Sequence, residues 1–191
     1  MASPAVARPR TSVFVGTSLD GFLARRDGTF DFLTAGGDGD GAANGFDAFL
    51  ASVDAVLMGR NTYEVVRPFP VWPYGSKPVF VLTRRALPPS RNDAVVEPLA
   101  GPPAQVLEAL AARGLGHVYV DGGLTIQQFL RAGLVDRIVV TRVPVLIGEG
   151  IPLFGAVEAD VLLRHTGTRV LPGGAVQSEY AVQTSGILRE P

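Results

Sequence analysis

Cysteine is absent from the 191 residues. That absence excludes a disulfide framework, a thiol nucleophile and a cysteine-ligated zinc site together. Histidine is scarce: His117 and His165 are the only 2, too few for a multi-histidine metal centre, so no metal is expected. Neither histidine falls into a sequence pattern that builds a Ser/His/Asp triad. No apolar run approaches the roughly 20 residues that a membrane-spanning helix needs, so no membrane partner is expected. An excess of one charge is also missing. Lys and Arg number 17 against 18 Asp and Glu, a net charge of −1. No global basic field exists to hold nucleic acid or anionic lipid.

What is there suits a folded domain. Apolar residues make up 47% and charged residues 18%, enough of the first for a sizeable core. The 23 glycines and 15 prolines are aperiodic and lie between apolar runs, so they read as turns. Met1 to Arg10 has arginines and prolines without an apolar stretch and does not read as a signal peptide. The expectation is a cytoplasmic protein with a loose N-terminus over 1–10, a single domain over 11–185 and a loose C-terminus over 186–191.

Short apolar strands alternate with amphipathic helices. Strands are expected at Ser12 to Gly16, Ala55 to Met58, Val79 to Leu82, Ala94 to Val96, His117 to Val120 and Arg137 to Val143. Phe46, Phe49, Leu50 and Val53 share one helical face by their spacing. Further helices are expected at Asn61 to Val66, at Pro102 to Arg113 with Gly114 just past its end, and at Thr125 to Ala132. Val161 to Leu171 and Val176 to Val182 are extended runs joined across Pro172-Gly173-Gly174, a hairpin signal. Continuously apolar strands such as Val79 to Leu82 are those covered on both faces. The fold class is therefore α/β: a three-layer sandwich whose mixed, mostly parallel central sheet ends in an antiparallel C-terminal hairpin.

Ligands of such sheets sit at the carboxyl ends of strands, so the loops there are where chemistry is sought. After the second strand come Gly59, Arg60, Asn61 and Thr62, a turn into a helix start that suits an anion. The plain alternative is a polar helix cap with a surface arginine. After the third strand, Thr83, Arg84 and Arg85 offer a hydroxyl and two guanidiniums, suited to a second phosphate or to nothing more than solvent. Asp121, Gly122, Gly123, Leu124 and Thr125 enter a helix through two glycines, which let backbone approach a phosphate or simply make a turn. Gly16 ends the first strand and Thr17 opens the loop after it, where Asp20-Gly21 is the best-placed carboxylate or an ordinary turn. The long apolar loop from Pro144 to Phe154 flanks Glu149 with Gly148 and Gly150. Trp72, between Pro70 and Pro73, either walls a ring-shaped substrate or packs.

Taken together, these segments resemble the dihydrofolate reductase-like superfamily, and most of all stand-alone members of the RibD C-terminal (riboflavin biosynthesis reductase) family. Ser18-Leu19-Asp20-Gly21, Met58 to Glu64, Val81 to Arg84, Asp121-Gly122-Gly123 and Pro144 to Phe154 carry the likeness, over about residues 11 to 183. The resemblance implies NADPH as cofactor. Arg60, Asn61 and Thr62 would hold phosphate and adenosine, and Thr83 and Arg84 would flank the 2′-phosphate. Gly122, Gly123, Leu124 and Thr125 would receive the pyrophosphate, with Gly59 and Asp121 beside these loops. Gly16 and Thr17 would lie near the nicotinamide.

A proton must also reach the substrate, from Asp20, the catalytic candidate, or from water. Trp72, Gly148, Glu149 and Gly150 are the substrate-binding candidates. Hydride would pass to a C=N or C=O carbon of a small heterocycle, nominally 5-amino-6-(5-phosphoribosylamino)uracil. Where riboflavin reductases commonly carry Asp-Asp-Pro, this chain has Arg67 to Pro73, which points to another heterocycle. Dihydrofolate reductase activity and non-catalytic NADP binding are the alternatives. Family likeness implies a homodimer.

Overall fold

The computed structural model describes residues 7–34, 44–90 and 94–183. Strands β1 (Arg10–Thr17), β3 (Ala55–Gly59), β4 (Val79–Leu82), β5 (Val96–Leu99), β6 (His117–Asp121), β7 (Arg137–Arg142), β9 (Leu163–Val170) and β10 (Val176–Val182) form one sheet. Its order is β5-β4-β3-β6-β1-β7-β10-β9. The six strands from β5 to β7 are mutually parallel, and β10 runs antiparallel to both β7 and β9. The expected mixed sheet with an antiparallel hairpin is thus present, and left-handed Gly173 (φ 78°) and Gly174 (φ 80°) turn that hairpin.

Alternation along the strands assigns the layers. Val13, Val15, Ala55, Leu57 and Phe80 pack on one face with α3 (Pro103–Ala111) and α4 (Gly123–Arg131), which contribute Val106, Leu107, Leu110, Ile126 and Phe129. Phe14, Val56, Met58, Val79 and Val81 pack on the other face with Phe49 of α1 (Phe46–Ala51) and with Tyr63 and Val66 of α2 (Arg60–Val66). Successive strand side chains point to opposite faces, so a strand apolar at every position needs helices on both sides.

Some boundaries differ from the expectation. The fourth strand begins at Val96 and not Ala94, and α4 starts two residues early, at Gly123. The N-terminus is not loose up to residue 10. Arg10 opens β1, and the Arg8 guanidinium lies 2.6 Å from an Asp136 oxygen. The outermost parts of both expected loose termini, 1–6 and 184–191, lie outside the described residues. A second, two-stranded sheet pairs β2 (Phe22–Ala24) with β8 (Ile151–Pro152). It clamps the long apolar loop against the turn after β1. At Gly150 a Cβ would collide with the Ala24 carbonyl, so only glycine permits that approach. His117 is structural: its ring nitrogens meet Ser12 Oγ and the Ser52 carbonyl, both at 2.8 Å.

Candidate active site

β3 and β6 are parallel neighbours whose chains diverge. From β3 the chain passes through α2 to β4 on one side, and from β6 it passes through α4 to β7 beyond β1. This is a topological switch point, where α/β sheets open a crevice at their carboxyl edge. The N-termini of α2 and α4 meet over it from opposite faces. Their caps, Gly59 and Gly122, supply no side-chain acceptor. The two starts also interlock. A Cβ at Gly122 would collide with Thr62 Oγ1, and one at Gly59 would lie 2.9 Å from Thr125 Oγ1. Gly122 has φ +88°, whereas Gly123 is already the first helical residue. Glycine is therefore demanded by chain geometry at Gly122, whereas at Gly123 the missing Cβ leaves room for Leu23, whose Cδ1 lies 3.0 Å from where it would stand.

Asp121, one of the expected cofactor-binding residues, is engaged on both carboxylate oxygens by protein groups. One carboxylate oxygen accepts the Gly122 N–H at 2.8 Å and the other accepts the Tyr74 hydroxyl at 2.6 Å. Burial pushes its carboxyl above the usual range, against these hydrogen bonds. Burial and the Asp121 charge hold the Tyr74 phenol well above its ordinary value, so Tyr74 stays a donor. Trp72 stands edge-on to Tyr74, with ring centroids 5.3 Å apart, and packs on the α1/α2 core. The packing half of the Trp72 alternative is what the geometry supports.

At the end of β4, Thr83, Arg84, Arg85 and Ala86 line a shallow cleft of about 470 Å³ with Pro98, Leu99 and Ala100. Arg84 and Arg85 are exposed, and neither pairs with an acid among the described residues. Thr83 Oγ1 accepts the Arg85 N–H at 3.1 Å and shapes the turn. Arg60 bridges the two loops: its Nε donates to Glu64 at 2.7 Å and its Nη1 to the Ala86 carbonyl at 2.9 Å. Asn61 is exposed beside it.

On the other flank of the crevice β1 ends in Gly16, whose missing Cβ makes room for the Leu33 side chain, and in Thr17. Thr17 is 1% exposed and its Oγ1 is buried without a partner. Asp20 has a different employment from the expected proton relay. Its carboxylate accepts N–H groups from Gly148 at 2.8 Å and Ile147 at 3.2 Å. The Ser18 hydroxyl, then those backbone donors, hold it below the usual carboxylate range. An ionised, latched carboxylate is a poor proton donor. Glu149 is ion-paired with Arg26 at 2.8 Å, and Gly148 (φ +77°) turns the loop.

With this geometry in place, comparison with known proteins is decisive. The RibD C-terminal domain family matches residues 9–176. The chain belongs to that family. The uncharacterized protein YwjB of Bacillus subtilis (strain 168) is 34% identical over 174 residues, 90% of this chain and 97% of YwjB. The riboflavin biosynthesis protein RibD of Corynebacterium ammoniagenes is 28% identical over 97% of this chain, which spans only 55% of that protein. A crystal structure from Shewanella sp. PV-4, named for riboflavin biosynthesis, superposes with a TM-score of 0.85 at 36% identity, covering 92% of this chain and 99% of that one. Dihydrofolate reductase from Enterococcus faecalis, complexed with NADP(H), shares the fold (TM-score 0.60, 15% identity, 92% and 97% covered).

Within the RibD C-terminal family frame, the sheet brings Thr17, Gly59 to Thr62, Thr83 to Arg85 and Gly122 to Thr125 to one edge. The order β4-β3-β6-β1 makes these loops consecutive neighbours. Asp121 and Trp72 lie beneath that edge, and Asp20, Gly148, Glu149 and Gly150 serve the loop that flanks it. Two contributors escaped the sequence reading. Tyr74 sits in a proline- and glycine-rich stretch with no periodicity to mark it. Leu23 lies 3.0 Å from where a Gly123 Cβ would stand, on a three-residue strand too short to signal itself.

Proposed function

We propose that this protein is an NADPH-dependent reductase of a small heterocycle. The single observation that carries the reading is the alignment of the Arg84/Arg85 cleft with the interlocked helix starts over the β3/β6 crevice. The residues fit the cofactor: guanidiniums with no acid partner among the described residues at one end, helix N–H groups without a side-chain cap in the middle, and a buried hydroxyl, Thr17 Oγ1, without a partner among the described residues at the other. Thr83, Arg84 and Arg85 would hold the 2′-phosphate, with Arg60 keeping the two loops together. The N–H groups of Gly123, Leu124 and Thr125 would face the pyrophosphate. Gly16 and Thr17 would border the nicotinamide, whose C4 hydride supplies the reducing chemistry when bound.

The chain's own residues orient and exclude water. Asp20 fixes the Pro144–Gly150 loop over the substrate end, and the proton comes from water. Among the described residues, the carboxylates of Asp20 and Asp121 are both engaged by protein donors. The nominal pyrimidine of riboflavin synthesis is one member of this class of small heterocycles. Pairing of two copies belongs to the same proposal. β9 is an edge strand exposed on both faces, with Val170 73% exposed, which supports it.

Titration with NADPH and NADH tests the cofactor claim. NADPH is expected to bind at least about tenfold tighter, near 1.4 kcal/mol, and Arg84→Ala to remove most of that preference. Equal affinities in the parent protein refute it. NADPH oxidation against a panel of pteridines, pyrimidines and dihydrofolate separates a reductase from an NADP-binding protein.

A further inference from the structure

We propose that Tyr74 and Asp121 are positioning residues for the pyrophosphate, acting through the Gly122 N–H. The inference rests on the cofactor reading above and adds a residue that no crevice contact marks.

Gly122 must hold φ +88° for α4 to begin where it does. Its own N–H is not part of the helix ladder. It is fixed by Asp121 Oδ1 at 2.8 Å, so the carboxylate sets the orientation of the peptide unit entering α4. That carboxylate is in turn held by the Tyr74 hydroxyl on Oδ2 at 2.6 Å. Tyr74 is 3% exposed and is wedged between Trp72 and Tyr119, with ring centroids at 5.3 and 6.4 Å. The same Gly122 is blocked from the other side by the Thr62 side chain. The turn is gripped on two sides: by contact with Thr62, and by a hydrogen-bonded chain from the aromatic segment.

The half-buried Asp121 carboxylate has a donor on each oxygen, and the two together fix its orientation. Without the Tyr74 donor its second oxygen loses that partner, and the carboxylate is free to turn toward the neighbouring Tyr119 hydroxyl. The consequence reaches the ligand through Gly122, because the next three N–H groups belong to α4 and move with its first peptide. The adenosine end, on Thr83 and Arg84, is attached to a different strand and is indifferent to this chain.

That difference supplies the test. Tyr74→Phe keeps the ring and removes only the hydroxyl. Two probes are titrated onto parent and variant: NADPH, which spans both ends, and adenosine 2′-monophosphate, which carries the 2′-phosphate but no pyrophosphate. The expected result is about tenfold weaker NADPH binding, unchanged adenosine 2′-monophosphate binding, and a melting temperature within a few degrees of the parent. Asp121→Asn keeps an acceptor for the Gly122 N–H, and the Tyr74 hydroxyl can turn to accept from the amide. Its NADPH affinity is expected within about threefold of the parent. Tyr74→Phe binding NADPH like the parent overturns the inference. So does equal weakening of both probes, which makes Tyr74 a general prop of the fold, and so does a collapse in Asp121→Asn alone. A parent protein that binds neither probe instead removes the cofactor reading itself.

Discussion

Two adjacent glycines with different duties show how much a single residue decides. Gly122 is left-handed and blocked by Thr62, so Gly122→Ala meets both backbone strain and a collision. A loss of about 1–3 kcal/mol is expected, measured by urea denaturation. Gly123 is helical, and an added methyl meets only the movable end of Leu23 at 3.0 Å. Gly123→Ala should change stability by about 1 kcal/mol or less. Gly123→Asp would set a carboxylate against Leu23, Ile151 and the Pro152 carbonyl, so a larger fall in melting temperature than for Gly123→Ala is expected. The sequence offered the pair as one motif. Only φ and the Thr62 contact separate the two roles. Asp20 gives a parallel case. A carboxylate at a strand end reads as chemistry, but it faces two N–H groups of a loop more than a hundred residues away in the chain. Asp20→Asn retains an acceptor for that loop and should leave NADPH affinity unchanged by calorimetry. Asp20→Ala should loosen the loop, seen as faster proteolysis between 144 and 150.

At the scale of elements, the two clamps on β1 carry different pH signatures. Asp136 accepts Arg8 and the Thr11 N–H at 2.8 Å each, anchoring the strand's entrance. Burial pushes its carboxyl up, but the Arg8 and Thr11 contacts outweigh that and leave it lowered. A carboxyl lowered in the fold contributes stability that is present above its unfolded value and is lost as pH falls through the folded one. Stability is therefore expected to fall between pH 4 and lower values, less steeply in Asp136→Asn, as denaturation midpoints against pH would show. His117 adds a second loss on the acid side. Burial, first, holds its imidazole below the usual histidine range, so protons bind the unfolded chain more readily below about pH 6.5. The small β2/β8 sheet is flanked by the exposed Arg26–Glu149 ion pair and depends on Gly150 fitting under Ala24.

The parallel part of the sheet is covered by helices on both faces, and the stability of the fold rests there. Phe129 of α4 is fully buried against β-strand side chains, and Phe129→Ala should cost about 3–5 kcal/mol with an unchanged denaturant slope. That layer is also what the chain displayed most openly. Val79 to Leu82 and Ala55 to Met58 are apolar at every position, and burial of strands on both faces leaves almost no other solution. The helix around Phe49, the Pro172-Gly173-Gly174 hairpin and the loops at the strand ends were legible for the same reason: local spacing and turn chemistry act over a few residues.

What needed the tertiary structure was everything that depends on contact between distant segments. Strand order decided that Thr83, Gly59, Gly122 and Thr17 stand side by side, because β6 inserts between β3 and β1 although it follows β5 in the chain. The pairing of Asp121 with Tyr74, of Asp20 with Gly148 and of β2 with β8 spans 47, 128 and about 130 positions, beyond the reach of any periodicity. Hydrophobic pattern and turn residues, acting locally, determined which elements form and on which faces they are buried. Hydrogen bonds and close packing between elements, fixed only once the sheet closed, decided which polar groups remain free to meet a ligand.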